Sequence, residues 1–309
     1  MPLSLFYCDH YPFPLPAGHK FPLSKYRALR DQLSGDPFFD LQPALPAPRE
    51  EVLRVHTPEY VDGFLAGTLD SKVIRRIGFP WSPELVIRTL ASAGSTLRAA
   101  EAALDKGFGG TLAGGTHHAF RGEGSGFCVF NDLAIAIEWA RAHGGISRAA
   151  VIDLDVHQGD GTAAIFCGDP SVLTLSVHGE RNFPFRKQTS SIDVELPDGT
   201  DDESYLQALM PALQAVWSFG PQIVFYQSGV DGLVTDRLGR LSLTHAGLAQ
   251  RDIAVIDSAH ARNIPLVITI GGGYSEPIED TVFAHAQTFR SAARIYGPSY
   301  FQPSSAPEP

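Results

Sequence analysis

Strand and helix alternate along the middle of this 309-residue chain. The alternation predicts an α/β protein: a three-layer α/β/α domain with a central, mostly parallel sheet. Three observations carry the expectation. Short β-branched apolar runs recur at residues 111–113, 149–154, 172–177, 223–227 and 266–270. Longer patterns of helical period separate them. The runs are almost wholly apolar, as strands covered on both faces should be.

The elements follow in order. The stretch 11–48 is rich in proline and lacks a long periodic pattern, so it reads as irregular surface segments with a short helix near 24–33. The clearest helix starts at SPEL, where Ser82 suits the N-cap and Pro83 the first helical position. It runs to about Lys106 and stops at Gly107. Further helices are expected over 132–143, 203–219, 246–263 and 278–296. No internal repeat and no shift in composition marks a linker, so residues 1–296 read as a single domain. The stretch 297–309, GPSYFQPSSAPEP, reads as a flexible tail.

Composition narrows the function. The chain is 44% hydrophobic and 19% charged, enough to bury a sizeable core. A formal net charge of −10 argues against a nucleic-acid binder, which would show a basic stripe. Solubility explains the acidity, although a positively charged ligand is also compatible with it. Cys8, Cys128 and Cys167 are odd in number and far apart, so neither a disulfide framework nor a cysteine zinc site is indicated. A reducing, cytoplasmic setting fits. The first residues, MPLSLFYCDHYPFP, have no basic segment ahead of a long apolar one, unlike a signal peptide. No apolar run approaches the roughly 18 residues of a membrane span.

The polar residues of interest each follow an apolar run. GGTHHA follows 111–113, DVHQGDG follows AAVIDL, SVHGERNFPF follows VLTL, SGVDG follows IVFYQ, and GGGY follows VITI. In parallel sheets ligands bind beyond the carboxyl ends of the strands, so these segments are expected to converge on one site. Asp153, Asp155 and His157 alternate with Leu154 and Val156, which puts all three on one side of a strand, spaced about 6.6 Å along it. Two of them can reach one ion at about 2 Å; all three do so only if the strand bends. Asp153 lies inside an apolar run, where an unpaired charge is costly, so a metal or a buried polar network is expected rather than surface decoration. Asp231 is the best third ligand. Two carboxylates and an imidazole suit Zn²⁺ or Fe²⁺, with a position left open for water. Gly232, Leu233 and Val234 offer no bridging carboxylate for a second metal, and Asp236 reads as a loop carboxylate. His117 and His118 can act as base and acid, each oriented by one of the spare carboxylates Asp153 and Asp160. Tyr274, after Gly271, Gly272 and Gly273, reads equally as an oxyanion donor or as an ordinary half-buried tyrosine.

Taken together, these segments resemble the metal-dependent histone deacetylases of the arginase/deacetylase superfamily. GGTHHA, GFCVFND (126–132), DLDVHQGDG (153–161), QSGVDGL (227–233) and IGGGY (270–274) occur in that family's order. LPAGHKFPLSKY looks most like the small bacterial and class IV-type members. The resemblance implies that Asp155, His157 and Asp231 hold Zn²⁺. It implies that His118, backed by Asp160, is general base and acid; that His117, backed by Asp153, is its electrostatic partner; and that Tyr274 binds the oxyanion. A structural K⁺ would lie on Asp153, Asp155, His157, Ser176 and Val177. Phe127 and Phe183 would form the walls of an acyl-lysine channel, Gly126 would offer it a carbonyl, and Gly273 would lie against the substrate. From the residues alone, both phenylalanines read as core. The chain departs from the family at Gln158, where many relatives have a second histidine, and at Thr116, where many have tryptophan. In RRIGFPWSP, peptide-binding members carry a rim aspartate, and Gly78, Phe79 and Pro80 stand here instead.

The leading expectation is a zinc-dependent amidohydrolase that removes an acetyl or other acyl group from an amine such as acetyl-lysine. A small-molecule deacylase of the acetylpolyamine type remains open beside it. A two-metal ureohydrolase or a catalytically inactive binding protein stands further off. The partner expected is an acylated amine, with no nucleic acid and no membrane, and the oligomeric state is not legible.

Overall fold

The computed structural model describes residues 2–297. Within them an eight-stranded sheet runs in the spatial order β2-β1-β3-β8-β7-β4-β5-β6. The strands are β1 (Leu3–Tyr7), β2 (Phe39–Pro43), β3 (Phe108–Thr111), β4 (Ala149–Asp153), β5 (Val172–Gly179), β6 (Ile192–Leu196), β7 (Ile223–Gln227) and β8 (Leu266–Thr269). Every pairing between them is parallel, so the sheet is fully parallel rather than mostly so. The helices are α1 (Ser24–Leu33), α2 (Arg49–Val52), α3 (Pro58–Ala66), α4 (Ser71–Ile77), α5 (Pro83–Lys106), α6 (Asp132–His143), α7 (Asp160–Ile165), α8 (Asp202–Phe219), α9 (His245–Ala261) and α10 (Ile278–Tyr296).

Period two divides the central strands between two cores. Ala150 and Ile152 of β4, Val224 and Tyr226 of β7, and Leu266 and Ile268 of β8 pack with α1, α8, α9 and α10. Their neighbours Ala149, Val151, Ile223, Phe225 and Val267 pack with α3, α5 and α6 on the opposite face. Helices therefore cover both faces, which gives three layers. The helix ends follow local chemistry. Ser82 accepts the amide of Leu85 at the start of α5, and Gly107 closes that helix with φ 84°. Asp201 and Thr244 cap α8 and α9 in the same way.

Three strands lie where the sequence shows no strand signal. β2 and β6 are the sheet edges, half exposed, so neither reads as a continuous apolar run. β1 precedes the proline-rich segment, and its run LSLFY is interrupted by Ser4. The strand placed at 111–113 lies instead at Phe108–Thr111, because FGGT is shaped by close approach and not by β propensity. A Cβ on Gly109 would stand 2.0 Å from the Ala99 carbonyl oxygen of α5. The bare backbone lets α5 lie directly on the sheet. Of the stretch assigned as a tail, all but Gly297 lies outside the described residues. No helix among the described residues is long and apolar enough to cross a membrane.

Since the atom that blocks a side chain at 109 is backbone, it has little freedom to move. Gly109→Ala is expected to cost about 1–3 kcal/mol in equilibrium urea unfolding, with an unchanged m value. An unaltered midpoint would show that α5 can shift without loss.

Candidate active site

The carboxyl ends of β3, β4, β7 and β8 open into a cavity of about 780 Å³. Asp155, His157, His117, His118, Asp160, Gly126, Phe127, Phe183 and Tyr274 all line it. The regular strand stops at Asp153, and the chain bends through residues 155–157. That bend separates the three alternating polar groups. Asp153 turns to His117, with Oδ2 2.7 Å from Nδ1, while Asp155 and His157 turn towards Asp231.

Asp155, His157 and Asp231 each offer a ligand atom within 4.8 Å of the others, the one such group of three found among the described residues. His157 Nδ1 stands 3.0 Å from Asp155 Oδ1 and 3.0 Å from Asp231 Oδ2. A ring nitrogen carries at most one proton, so it can donate to only one of these oxygens. Two carboxylates, 1% and 0% exposed, thus converge on one imidazole. Burial and then the charge of Asp155 push Asp231 up to about 7. Burial opposes charge on His157, but the two carboxylates outweigh it and lift the ring to about 10. A divalent cation at this point would take the place of the shared proton. Ligands about 2 Å from a tetrahedral ion lie roughly 3.3 Å apart, close to the spacing found. The donor set therefore fits Zn²⁺ or Fe²⁺. The outer oxygens are already engaged: Asp155 Oδ2 accepts the amide of Gly272 at 2.6 Å, and Asp231 Oδ1 that of Val156 at 2.9 Å.

Gly114 and Gly115, with φ 77° and 72°, turn the chain after β3. Asp132 at the start of α6 holds the turn, accepting the amides of Gly115 and Thr116. The turn presents both histidines on the cavity. His118 Nδ1 lies 2.7 Å from Asp160 Oδ1, so each imidazole has its own carboxylate. Their rings are 4.1 Å apart, yet their environments differ. Burial works against charge on His117, but Asp153 and Asp155 outweigh it and raise the ring to about 9. For His118, burial reinforced by the His117 charge outweighs Asp160 and lowers the ring to about 4.

The amide of Tyr274 is held by Asp236 Oδ2 at 2.6 Å, and its hydroxyl has no hydrogen-bond partner among the described residues. Asp236 is a loop carboxylate, which also accepts the amides of Leu238 and Gly239, and through Tyr274 it serves the site. The Phe183 ring stands edge-on to His118 at 4.9 Å. Phe127 has φ 65°, unusual for an aromatic residue, and its backbone N–H donates a hydrogen bond to the Ile77 carbonyl at 2.8 Å. Gly126 passes so close to His118 that a Cβ would stand 2.7 Å from the ring. Gly273, expected against substrate, instead faces Thr281 and Val230, where a Cβ would stand 2.5 and 2.8 Å away. Gly271 and Gly272 line the cavity in its place. Of the positions matched to potassium, Asp153 and Ser176 are partners across β4 and β5, and Ser176 Oγ bonds His178 Nδ1 at 2.9 Å.

Two buried cations were not anticipated. Lys25 Nζ donates to the carbonyls of Gly271 at 3.1 Å and Gly273 at 3.5 Å, fixing the glycine run below Tyr274. Arg251, wholly buried in α9, donates to the carbonyls of Leu154 and Gly229 at 3.1 and 2.6 Å. It ties together the chain ends that carry Asp155 and Asp231, and Asp252 balances its charge. Both lie on the buried stripe of their helices, Lys25 with Leu29 and Leu33, Arg251 with Leu248 and Val255. Their only signal is charge at a position the helical period would bury.

A parallel sheet bearing an Asp–His–Asp group that could hold a metal, with paired histidines at its carboxyl edge, is an arginase/deacetylase-type arrangement. The histone deacetylase domain model matches residues 19–288, and the chain belongs to that family. An uncharacterized protein of a Picosynechococcus strain is 46% identical over 96% of this chain and 100% of its own length. Histone deacetylase 2 of Arabidopsis thaliana is 31% identical over 83% of this chain and 70% of its own. A histone deacetylase-like amidohydrolase of Pseudomonas aeruginosa is 32% identical over 85% and 74%, respectively. The crystal structure of the HDA15 HD domain superposes with a TM-score of 0.78 over 98% of this chain and 90% of that one; at 22% identity this shows the shared fold.

Elemental analysis of protein purified without chelator is expected to find about one divalent ion per chain, the number a single such ligand triad holds. Asp155→Ala and His157→Ala should each lose it. Full metal content in either variant would place the ion elsewhere.

Proposed function

We propose that the protein is a metal-dependent deacylase that hydrolyses the amide of an acylated amine such as acetyl-lysine, with Zn²⁺ as the metal and Fe²⁺ as the alternative. The observation that carries this reading is geometric: two adjacent histidines, each 2.7 Å from its own buried aspartate, stand beside an acidic ligand triad. Against burial, Asp153 and Asp155 draw the His117 ring up, while burial and then the His117 charge draw the His118 ring down. Family membership supports the amide-hydrolysing class.

The ion, when bound by Asp155, His157 and Asp231, supplies polarisation of the amide carbonyl and lowers the pKa of water. The chain's own groups do the rest. Asp160 fixes His118 with Nδ1 towards the carboxylate, which leaves Nε2 of a neutral ring to take a proton from the attacking water. The same nitrogen then returns the proton to the departing amine. His117, kept charged by Asp153, stabilises the negative charge that develops beside it. The unpartnered hydroxyl of Tyr274 donates to the oxyanion forming on the amide carbon. Phe127 and Phe183 hold the apolar stem, and the Gly126 carbonyl accepts its amide N–H. The products are a carboxylate and a free amine. A single ligand triad and two intact His–Asp pairs weigh against a two-metal ureohydrolase and an inactive binding protein.

A potassium ion on Asp153, Asp155, His157, Ser176 and Val177 is part of the same proposal, supported by the register that sets Asp153 beside Ser176. Because an ion that binds only the folded state stabilises it, Tm should be higher in potassium than in N-methylglucamine buffer. Equal melting would remove potassium from the account.

Turnover of acetyl-lysine amides tests the reaction itself. Tyr274→Phe should lower kcat by roughly 10²–10³-fold with KM little changed, as expected of a donor that acts on the developing charge. An unchanged kcat would make the hydroxyl structural.

A further inference from the structure

The side chains lining the cavity are opposite in sign to the chain as a whole. The chain carries a formal net charge of −10. Yet the acidic residues lining the cavity are Asp155 and Asp160, both buried at its floor. Arg76, Arg181, Arg186 and Arg240 line the same cavity. They come from separate segments: Arg76 from the end of α4, Arg181 and Arg186 from the β5–β6 connection, and Arg240 from the segment after β7. Lys187 braces that connection by donating to the carbonyl of Pro184 at 2.8 Å and to that of Asn182 at 2.5 Å.

These arginines are incompletely neutralised. Arg240 and Arg181 share Asp198, at 3.1 and 3.7 Å. Arg181 also meets Glu180 at 3.3 Å, and Arg76 meets Glu123 at 2.6 Å. Arg186 has no ion-pair partner among the described residues. None of the partner acids lines the cavity. All three paired guanidiniums are more than half exposed, and exposed pairs of this kind are weak and readily exchanged for another anion. Guanidinium groups also match a carboxylate through paired N–H donors. A cleft lined by one sign of charge favours ligands of the other sign and repels its own.

We infer that the native substrate is an acylated amine whose non-reacting end carries a carboxylate, and that Arg181, Arg186 and Arg240 at the mouth select it over neutral and cationic amides. The inference rests on the deacylase reading. It disfavours acetylpolyamines, whose remaining ammonium groups would lie among the arginines. The carboxylate has two sources: the α-carboxylate of a free acylated amino acid, or acidic side chains flanking an acyl-lysine in a peptide. Either would reach the mouth once the stem lies between Phe127 and Phe183.

Matched substrate pairs test this. One pair is Nα-capped acetyl-lysine with a free α-carboxylate and its α-carboxamide. The other is an acetyl-lysine peptide flanked by aspartates and the same peptide flanked by lysines. The anionic member should have a kcat/KM about three- to tenfold higher, a preference that falls as salt rises. The pair that shows it identifies the source. Arg186→Gln and the double variant Arg186→Gln/Arg240→Gln should bring the ratio towards one, and Arg186→Lys should retain most of it. Hydrolysis with no anionic preference in either pair, or with acetylputrescine preferred, would overturn the inference and leave the deacylase reading intact. If no amide is hydrolysed, the deacylase reading fails. Calorimetric binding of the same pairs then decides the charge preference: tighter binding of the anionic member upholds it, and equal binding overturns it.

Discussion

Two buried carboxylates held against one imidazole are the constraint around which the site is organised. Asp155 and Asp231 come from neighbouring strands, and both reach His157 Nδ1 at 3.0 Å. Negative charges packed this closely out of water repel strongly unless a cation lies between them. The surroundings are built to bear the strain. Backbone amides of Val156 and Gly272 hold the outer oxygens. Arg251 ties the two chain ends from beneath, and Lys25 does the same for the glycine run. The fold thus spends much of its buried polar chemistry on keeping the triad in place before any ligand arrives.

The paired histidines extend the same logic. Adjacent in sequence and 4.1 Å apart, they would share one titration in a uniform medium. Separate aspartates from β4 and α7 break that symmetry. His117 also feels Asp155, whereas His118 feels the charge of His117. The sheet therefore converts a repeated residue into two unlike groups. The glycines ahead of them are required by the turn, since a Cβ at Gly115 would stand 2.2 Å from the Ile270 carbonyl.

The layered architecture was legible because strands buried on both faces read as apolar runs, and because caps such as Ser82 and Gly107 are written locally. The polar segments were legible as one group because each follows such a run. Edge strands β2 and β6 were not, being half exposed, and β3 was displaced because Gly109 answers to α5 and Gly110 to Leu5 and Phe289, not to strand propensity. Within the site, Lys25 and Arg251 were hidden. Each lies on the apolar stripe of its helix, and what a buried charge there holds is known only from the carbonyls it meets. Gly273 shows the reverse: its place in a glycine run suggested substrate contact, whereas a Cβ there would point at Thr281 and Val230. The bend after Asp153, which sends that carboxylate to His117 and away from the triad, was legible only as a condition.

The central claim is that the triad is a cation site whose empty form is strained by like charge. Melting of metal-stripped protein, with and without added Zn²⁺, tests it most directly. Stripped Asp231→Asn, relieved of one negative charge, should melt above stripped wild type and show little response to Zn²⁺, whereas wild type should rise steeply with the ion. A stripped wild type that melts above Asp231→Asn and does not respond to Zn²⁺ would contradict the account.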